Sequence, residues 1–150
     1  MFIYYSCALA AIFGVFVEAS TPLQFSQFKS NSNGYFITAY WPNGEVKVDS
    51  VAYSHASTFE VHIVSDTDNQ WQLRAVKNNK YLSVENGGDG DNSKCTANRD
   101  SASGWETLNV TYIDEMNVVL QSFNGNYLFI DENKHLVSGA FTMETAESFH

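Results

Sequence analysis

A handful of side-chain groupings in this sequence could do chemistry. In the stretch AYWPNGEV, Tyr40 and Trp41 stand beside Pro42, Asn43 and Gly44, a turn sequence that can bring large aromatic surface to a hairpin end. Aromatic faces stack on sugar rings, and Asn43 and Glu45 can hydrogen-bond hydroxyls, so this tip is a candidate ligand-binding site. The structural alternative is that Trp41 folds back as a plug of core. In ENGGDGDNSK, Asp89, Asp91 and Ser93 alternate, and Asp89 and Asp91 are candidate ligand-binding residues of a longer loop. Their spacing hints at calcium, but the other ligands and the terminal Glu of an EF-hand loop are missing, so a solvated loop is the simpler reading.

Catalytic patterns fare less well. His55, His62, His135 and His150 form no HExxH pair and no Cys/His metal spacing, and no GxSxG elbow is present. The carboxylate pairs Asp66 with Asp68 and Glu144 with Glu147 fall in inter-strand loops, without the apolar surroundings that raise a pKa. Cys95 has no activating base nearby in sequence and reads as a small apolar residue of a strand. The expectation is a protein with no catalytic residue, no metal site and no cofactor. One modification signal is present: Asn109-Val110-Thr111 is an N-glycosylation sequon, and alternation with Leu108 and Val110 turns Asn109 outward.

The elements that must position these residues are legible as a repeat. FKSNSNGYFITAY, LRAVKNNKYLSVE and LQSFNGNYLFIDE each place a tyrosine after a turn, and Tyr35, Tyr81 and Tyr127 are spaced 46 and 46 residues apart. The turns Asn33-Gly34, Asn78-Asn79 and Asn124-Gly125 suit the positive φ angles of tight hairpins. Downstream, VKVDSVAYSHASTFEV, CTANRDSASGWETLNV and LVSGAFTMETAESFH align without gaps when Phe59, Leu108 and Phe149 are matched. That alignment puts Val46, Cys95 and Leu136 in one position and predicts a buried Cys95. Trp71 and Trp105 read as core. No helical period is visible beyond the N-terminal run.

Each unit thus holds about four short strands, and three units predict an all-β chain: a β-trefoil, a six-stranded barrel capped by three hairpins, with three four-stranded repeats of about 46 residues. The seven-stranded sandwich of immunoglobulin type does not explain a threefold period. The last repeat stops at Phe149-His150, where its sisters continue, so the final strand reads as short.

A chain of 150 residues with 44% hydrophobic residues supports one domain with a real core. Residues 2–17, FIYYSCALAAIFGVFV, carry no charge, and Val17 and Ala19 are acceptable small residues at the minus-three and minus-one positions of a signal-peptidase site, so residues 1–19 read as a secretory signal peptide and residues 20–150 as a single domain. The run is shorter than the roughly 20 apolar residues a membrane span needs. With Cys7 removed, Cys95 is left alone, and no internal disulfide can form. A formal net charge of -9 with no Lys or Arg run argues against nucleic acid, heparin-like glycans and anionic lipid.

LRAVKNNKYLSVE followed by CTANRDSASGWETLNV resembles the repeat of fascin-like, actin-crosslinking-type β-trefoils: Lys-Tyr-Leu-Ser after the turn, then Ala-Asn-Arg and Trp-Glu before an apolar strand. The resemblance covers nearly all of residues 23–150, best in the second repeat, and implies the fold without a ligand. It implies actin as one partner, whereas the signal peptide and the acidic surface favour a secreted, lectin-like module whose partner is an extracellular glycan or protein, with no membrane partner after cleavage. A loop-mediated protease inhibitor is a further alternative. The Gln-x-Trp signature of ricin-type lectins is absent.

Overall fold

The computed structural model describes residues 24–65, 69–90, 92–140 and 142–150. The expected signal peptide at residues 1–19, Asp66, Asp68 and Asp91 lie outside the described residues.

The described chain is all-β. Its twelve strands are β1 (Gln24–Ser26), β2 (Phe36–Ala39), β3 (Val46–Ser50), β4 (Phe59–Ser65), β5 (Gln70–Ala75), β6 (Lys80–Val84), β7 (Ser93–Arg99), β8 (Thr107–Tyr112), β9 (Val118–Gln121), β10 (Tyr127–Ile130), β11 (Leu136–Ala140) and β12 (Ser148–Phe149). Among the described residues, helical structure is limited to three short 3-10 segments.

The strands do not assemble as the six-stranded barrel with three equivalent hairpin caps that the repeat predicts. Seven strands, β5, β6, β7, β11, β10, β9 and β8, pair in succession, and β8 returns to β5 to close the ring. Strands β4 and β1 extend this sheet beyond β5, β12 adds to β9, and β2 with β3 forms a separate two-stranded sheet. The reason lies in unequal pairing between hairpins. β7 and β11 zip together at Val137 opposite Lys94 and Ser138 opposite Ser93, which draws the second and third hairpins into the ring. The first hairpin is joined to them by the isolated bridges Glu45 to Thr96 and Lys47 to His135 rather than by a ladder, and stays outside it.

The positional logic of the repeat nevertheless shows in the core. Phe59, Leu108 and Phe149 are all fully buried, as are Val46 and Leu136, with Cys95 beside them in the same cluster. Burial, then the charge of Glu85, pushes the Cys95 thiol up, so it is an inert core group. Each hairpin turn has positive φ at the second residue of its pair: Gly34 at 74°, Asn79 at 61° and Gly125 at 85°.

Two loop expectations are corrected. Glu147 is buried rather than solvated: its carboxylate accepts from the Ser30 hydroxyl at 2.8 Å and from the Ser32 hydroxyl and amide at 2.7 and 3.1 Å, tying the start of the fold to its last strand. The insertion at 85–94 is packed at its start. Gly87 and Gly88 are buried, their carbonyls accept from the Asn124 amide and the Asn126 side chain, and a Cβ on Gly88 would sit 2.3 Å from Ser122 Oγ. Asp89 and Gly90 are exposed.

Candidate functional site

The turn at residues 40–44 joins β2 to β3 and is closed by its own backbone: the Gly44 amide donates to the Tyr40 carbonyl at 2.9 Å and the Tyr40 amide to the Glu45 carbonyl at 2.8 Å. The turn includes a cis Trp41-Pro42 bond. Three of the aromatic and polar residues singled out in the sequence therefore share one loop, but their roles differ. Tyr40 donates its hydroxyl to Asp49 at 2.7 Å; burial, then that bond and the nearby carboxylate charge, push the phenol up to about 12 and keep it protonated. The Asn43 side chain accepts the Glu45 amide at 3.2 Å. Both therefore hold the turn. Trp41 is 62% exposed, so it is not the core plug that was the structural alternative.

Trp41 forms one wall of an open cleft of about 370 Å³ whose other lining residues are Lys77, Asn78 and Asn79, from the turn between β5 and β6. The sequence marks Asn78-Asn79 only as a hairpin turn; its proximity to Trp41, some 36 residues earlier, is a product of the fold. Asn78 donates to the Ala97 carbonyl at 2.8 Å and accepts the Lys80 amide, which fixes its orientation, and Asn79 is paired with Arg74. The lining combines one free aromatic face, one cation and two amides. Such a surface can stack on an apolar ring face and hydrogen-bond its rim.

Asp89 does not line this cleft; it follows the packed Gly87-Gly88 segment, which lies against Ser122, Ser138 and Trp105. Its candidate partner Asp91 is outside the described residues. Among the described residues, no group of three or more His, Cys, Asp or Glu is placed to hold a metal ion. Trp71 packs partly buried against the core, 6.2 Å from Phe28 between ring centres, in line with its reading as core. Trp105 departs from the same prediction and is 41% exposed.

A second, smaller cleft of about 240 Å³ is lined by Val64, Gln70, Gly104, Thr107, Asn109 and Phe123. Sequence reasoning reaches Asn109 there through its sequon, and misses the apolar neighbours because they come from β4 and the turn after β9.

The foot of the Trp41 turn is anchored by charge. His135 is held within hydrogen-bond reach of two carboxylates, Glu45 at 2.8 Å and Asp131 at 3.1 Å, and Lys47 lies 3.4 Å from Glu45. The bond from the His135 side chain is the largest effect on Glu45 and, with the bond and charge of Lys47, outweighs the upward push of burial and holds it below its usual range. Burial pushes Asp131 up, but the bonds it accepts from the amide and ring of His135 and the amide of Asn133 outweigh this and leave it lowered. A carboxylate lowered on folding contributes stability that is complete above its unfolded pKa of about 4 and is lost as pH falls through the folded value. Melting temperature is accordingly expected to drop as pH falls from about 5 toward 3. The drop should be shallower in Glu45→Gln and Asp131→Asn; equal slopes in wild type and both variants would remove this cluster from the account.

Comparison with known proteins adds a family and a set of structural neighbours. The profile described as "Domain of unknown function (DUF7910)" matches residues 66–150. No curated protein sequence matches the chain. Among solved structures, the chain is similar to ThreeFoil, a designed threefold-symmetric protein, with a TM-score of 0.74 and 12% identity over 84% of this chain and 96% of that one. It is similar to a Polyporus squamosus lectin solved with the epitope Neu5Aca2-6Galb1-4GlcNAc, with a TM-score of 0.71 and 12% identity over 88% of this chain and 49% of that one. SeviL, solved bound to the asialo-GM1 saccharide, gives 0.65 and 13% over 85% and 97%. These neighbours are β-trefoil-like lectins and a designed trefoil, at identities that speak to fold alone; a fascin-like membership is not supported by them, and neither is actin binding.

Proposed function

The chain belongs to the DUF7910 family of domains of unknown function, and we propose that it acts as a secreted, non-catalytic module that binds extracellular carbohydrate at the Trp41 cleft. The observation that carries this reading is the 62% exposure of a tryptophan beside a polar cleft, on a turn whose other side chains are engaged in holding it there. An exposed indole offers a broad apolar face, and a sugar ring presents the flat C–H face that an indole accepts. Lys77 and the amides of Asn78 and Asn79 would meet the ring hydroxyls. Two of the structural neighbours were solved with saccharides, which supports the ligand class without naming the sugar.

The test is a glycan array probed with the protein secreted from cells expressing the full chain. Trp41→Ala is expected to lose at least about tenfold in signal, the equivalent of roughly 1.4 kcal/mol, with an unchanged melting temperature because the side chain is mostly in water. Trp41→Phe should retain part of the signal. An array on which wild type and Trp41→Ala behave alike would sink the proposal.

A further inference from the structure

We propose that Asn109 carries an N-linked glycan whose first sugar seats in the cleft between Val64 and Phe123, so that this apolar surface is covered by a covalent sugar of the chain's own. The inference rests on the secretory part of the reading above and is independent of the Trp41 cleft.

The geometry begins with β8. Asn109 is opposite Gln70 of β5 on one side and Gln121 of β9 on the other, with Leu108 and Val110 turned into the core, so the Asn109 side chain stands on the outer face. Its Oδ1 accepts from the Gln70 side chain at 3.1 Å. That bond orients the amide and leaves Nδ2, the atom that takes the sugar, directed away from Gln70. Thr111, two residues on, shares the outer face, as the sequon requires.

What surrounds Asn109 is unusual for a sheet surface. Phe123 is 59% exposed and Val64 51% exposed. Val64 is the residue left unpaired where the β4–β5 register shifts between Ile63 and Ser65. Phe123 rests on Gly104, where an added Cβ would lie 3.1 Å from the ring, so the ring is held against backbone on one side and free on the other. Thr107 closes the floor, its hydroxyl donating to the Ser103 carbonyl at 2.8 Å and accepting from Gln72. The result is a cleft of about 240 Å³ with aromatic, aliphatic and polar lining, and Asn109, the residue that takes the sugar, is itself one of its lining residues. The space suits one sugar ring rather than a longer free oligosaccharide. A tethered occupant also avoids the entropy cost that a free ligand of this size would meet.

The experiment uses the full chain secreted from animal cells that leave high-mannose glycans. Intact mass is expected to show one occupied site. An endoglycosidase that leaves a single N-acetylglucosamine on Asn109 is compared with complete enzymatic removal, which also converts Asn109 to Asp. The single-sugar form should melt about 2–4 °C above the sugar-free form, the shift one aromatic contact gives a chain of this length. In Phe123→Ser, whose side chain is exposed enough for the fold to tolerate it, the gap should close to whatever the Asn-to-Asp change alone produces. An unoccupied Asn109 in the secreted protein overturns the proposal, and so does a gap that is absent in wild type or unchanged in Phe123→Ser. Neither result alters array signals that depend on Trp41, so the two readings fail separately.

Discussion

Phe149→Ala is expected to destabilise the protein by about 4 kcal/mol, which for a chain of this size is a large part of total stability. Phe149 is the second residue of the two-residue strand β12 and is fully buried in the main core cluster. Its strand is held from both sides: Phe149 is opposite Val118 of β9, and the amide and carbonyl of His150 exchange bonds of 3.0 and 2.9 Å with Lys29. Surroundings tied down in this way cannot collapse into the space the ring leaves, so the cavity term adds to the lost transfer energy. Phe123→Ala is the control. Its ring is mostly in water, and the same deletion there should cost under about 1 kcal/mol. Denaturant unfolding of the two variants checks this: a midpoint that drops strongly for Phe149→Ala and slightly for Phe123→Ala, with unchanged slopes, is the expected pattern. Similar midpoints would mean that the last strand does not close the core.

The contrast between these two phenylalanines marks how much was legible in the sequence. Phe149 could be placed in the core because an ungapped alignment set it against Phe59 and Leu108, and repeated units solve the same packing problem at the same position. The positive-φ turns were legible for a similar local reason, since Asn and Gly tolerate that backbone and most residues do not. Strand pairing between hairpins was not. Whether β7 zips to β11 while β3 only bridges to each depends on a few backbone hydrogen bonds between segments 40 or more residues apart, and no local signal encodes them. The two clefts share this limit. Trp41 and Asn109 announce themselves by type and motif, but Lys77, Asn78, Val64 and Phe123 become their neighbours only through the fold. Trp105 fails for a related reason: its place in the repeat marked it as core, yet its ring is 41% exposed beside Gly87 of the longer loop, where an added Cβ would lie 3.1 Å from it.

Gly44→Ala is expected to cost about 3 kcal/mol and to weaken carbohydrate binding by more than the stability loss alone explains. Gly44 has a φ of +72°, a region where an alanine costs about 1 kcal/mol or more. A Cβ built there would also lie 2.8 Å from the Ala97 carbonyl oxygen and 3.1 Å from its carbon, atoms of a buried strand that cannot swing aside. The Gly44 carbonyl meanwhile accepts the Ala97 amide at 2.7 Å, so pushing the turn off β7 breaks a short backbone bond as well. The same Ala97 carbonyl accepts the Asn78 side chain. One residue of β7, Ala97, thus holds both walls of the cleft, the Trp41 turn through its amide to Gly44 and Asn78 through its carbonyl. Displacing it should separate the walls, whereas Asn78→Ala should loosen one wall and cost about 1 kcal/mol. Thermal melts together with titration of an array-identified glycan distinguish the two effects. If Gly44→Ala melts like wild type, the close approach of the turn to Ala97 is wrong. If it is destabilised but binds unchanged while folded, the cleft does not depend on its shared anchor and the Trp41 face acts alone.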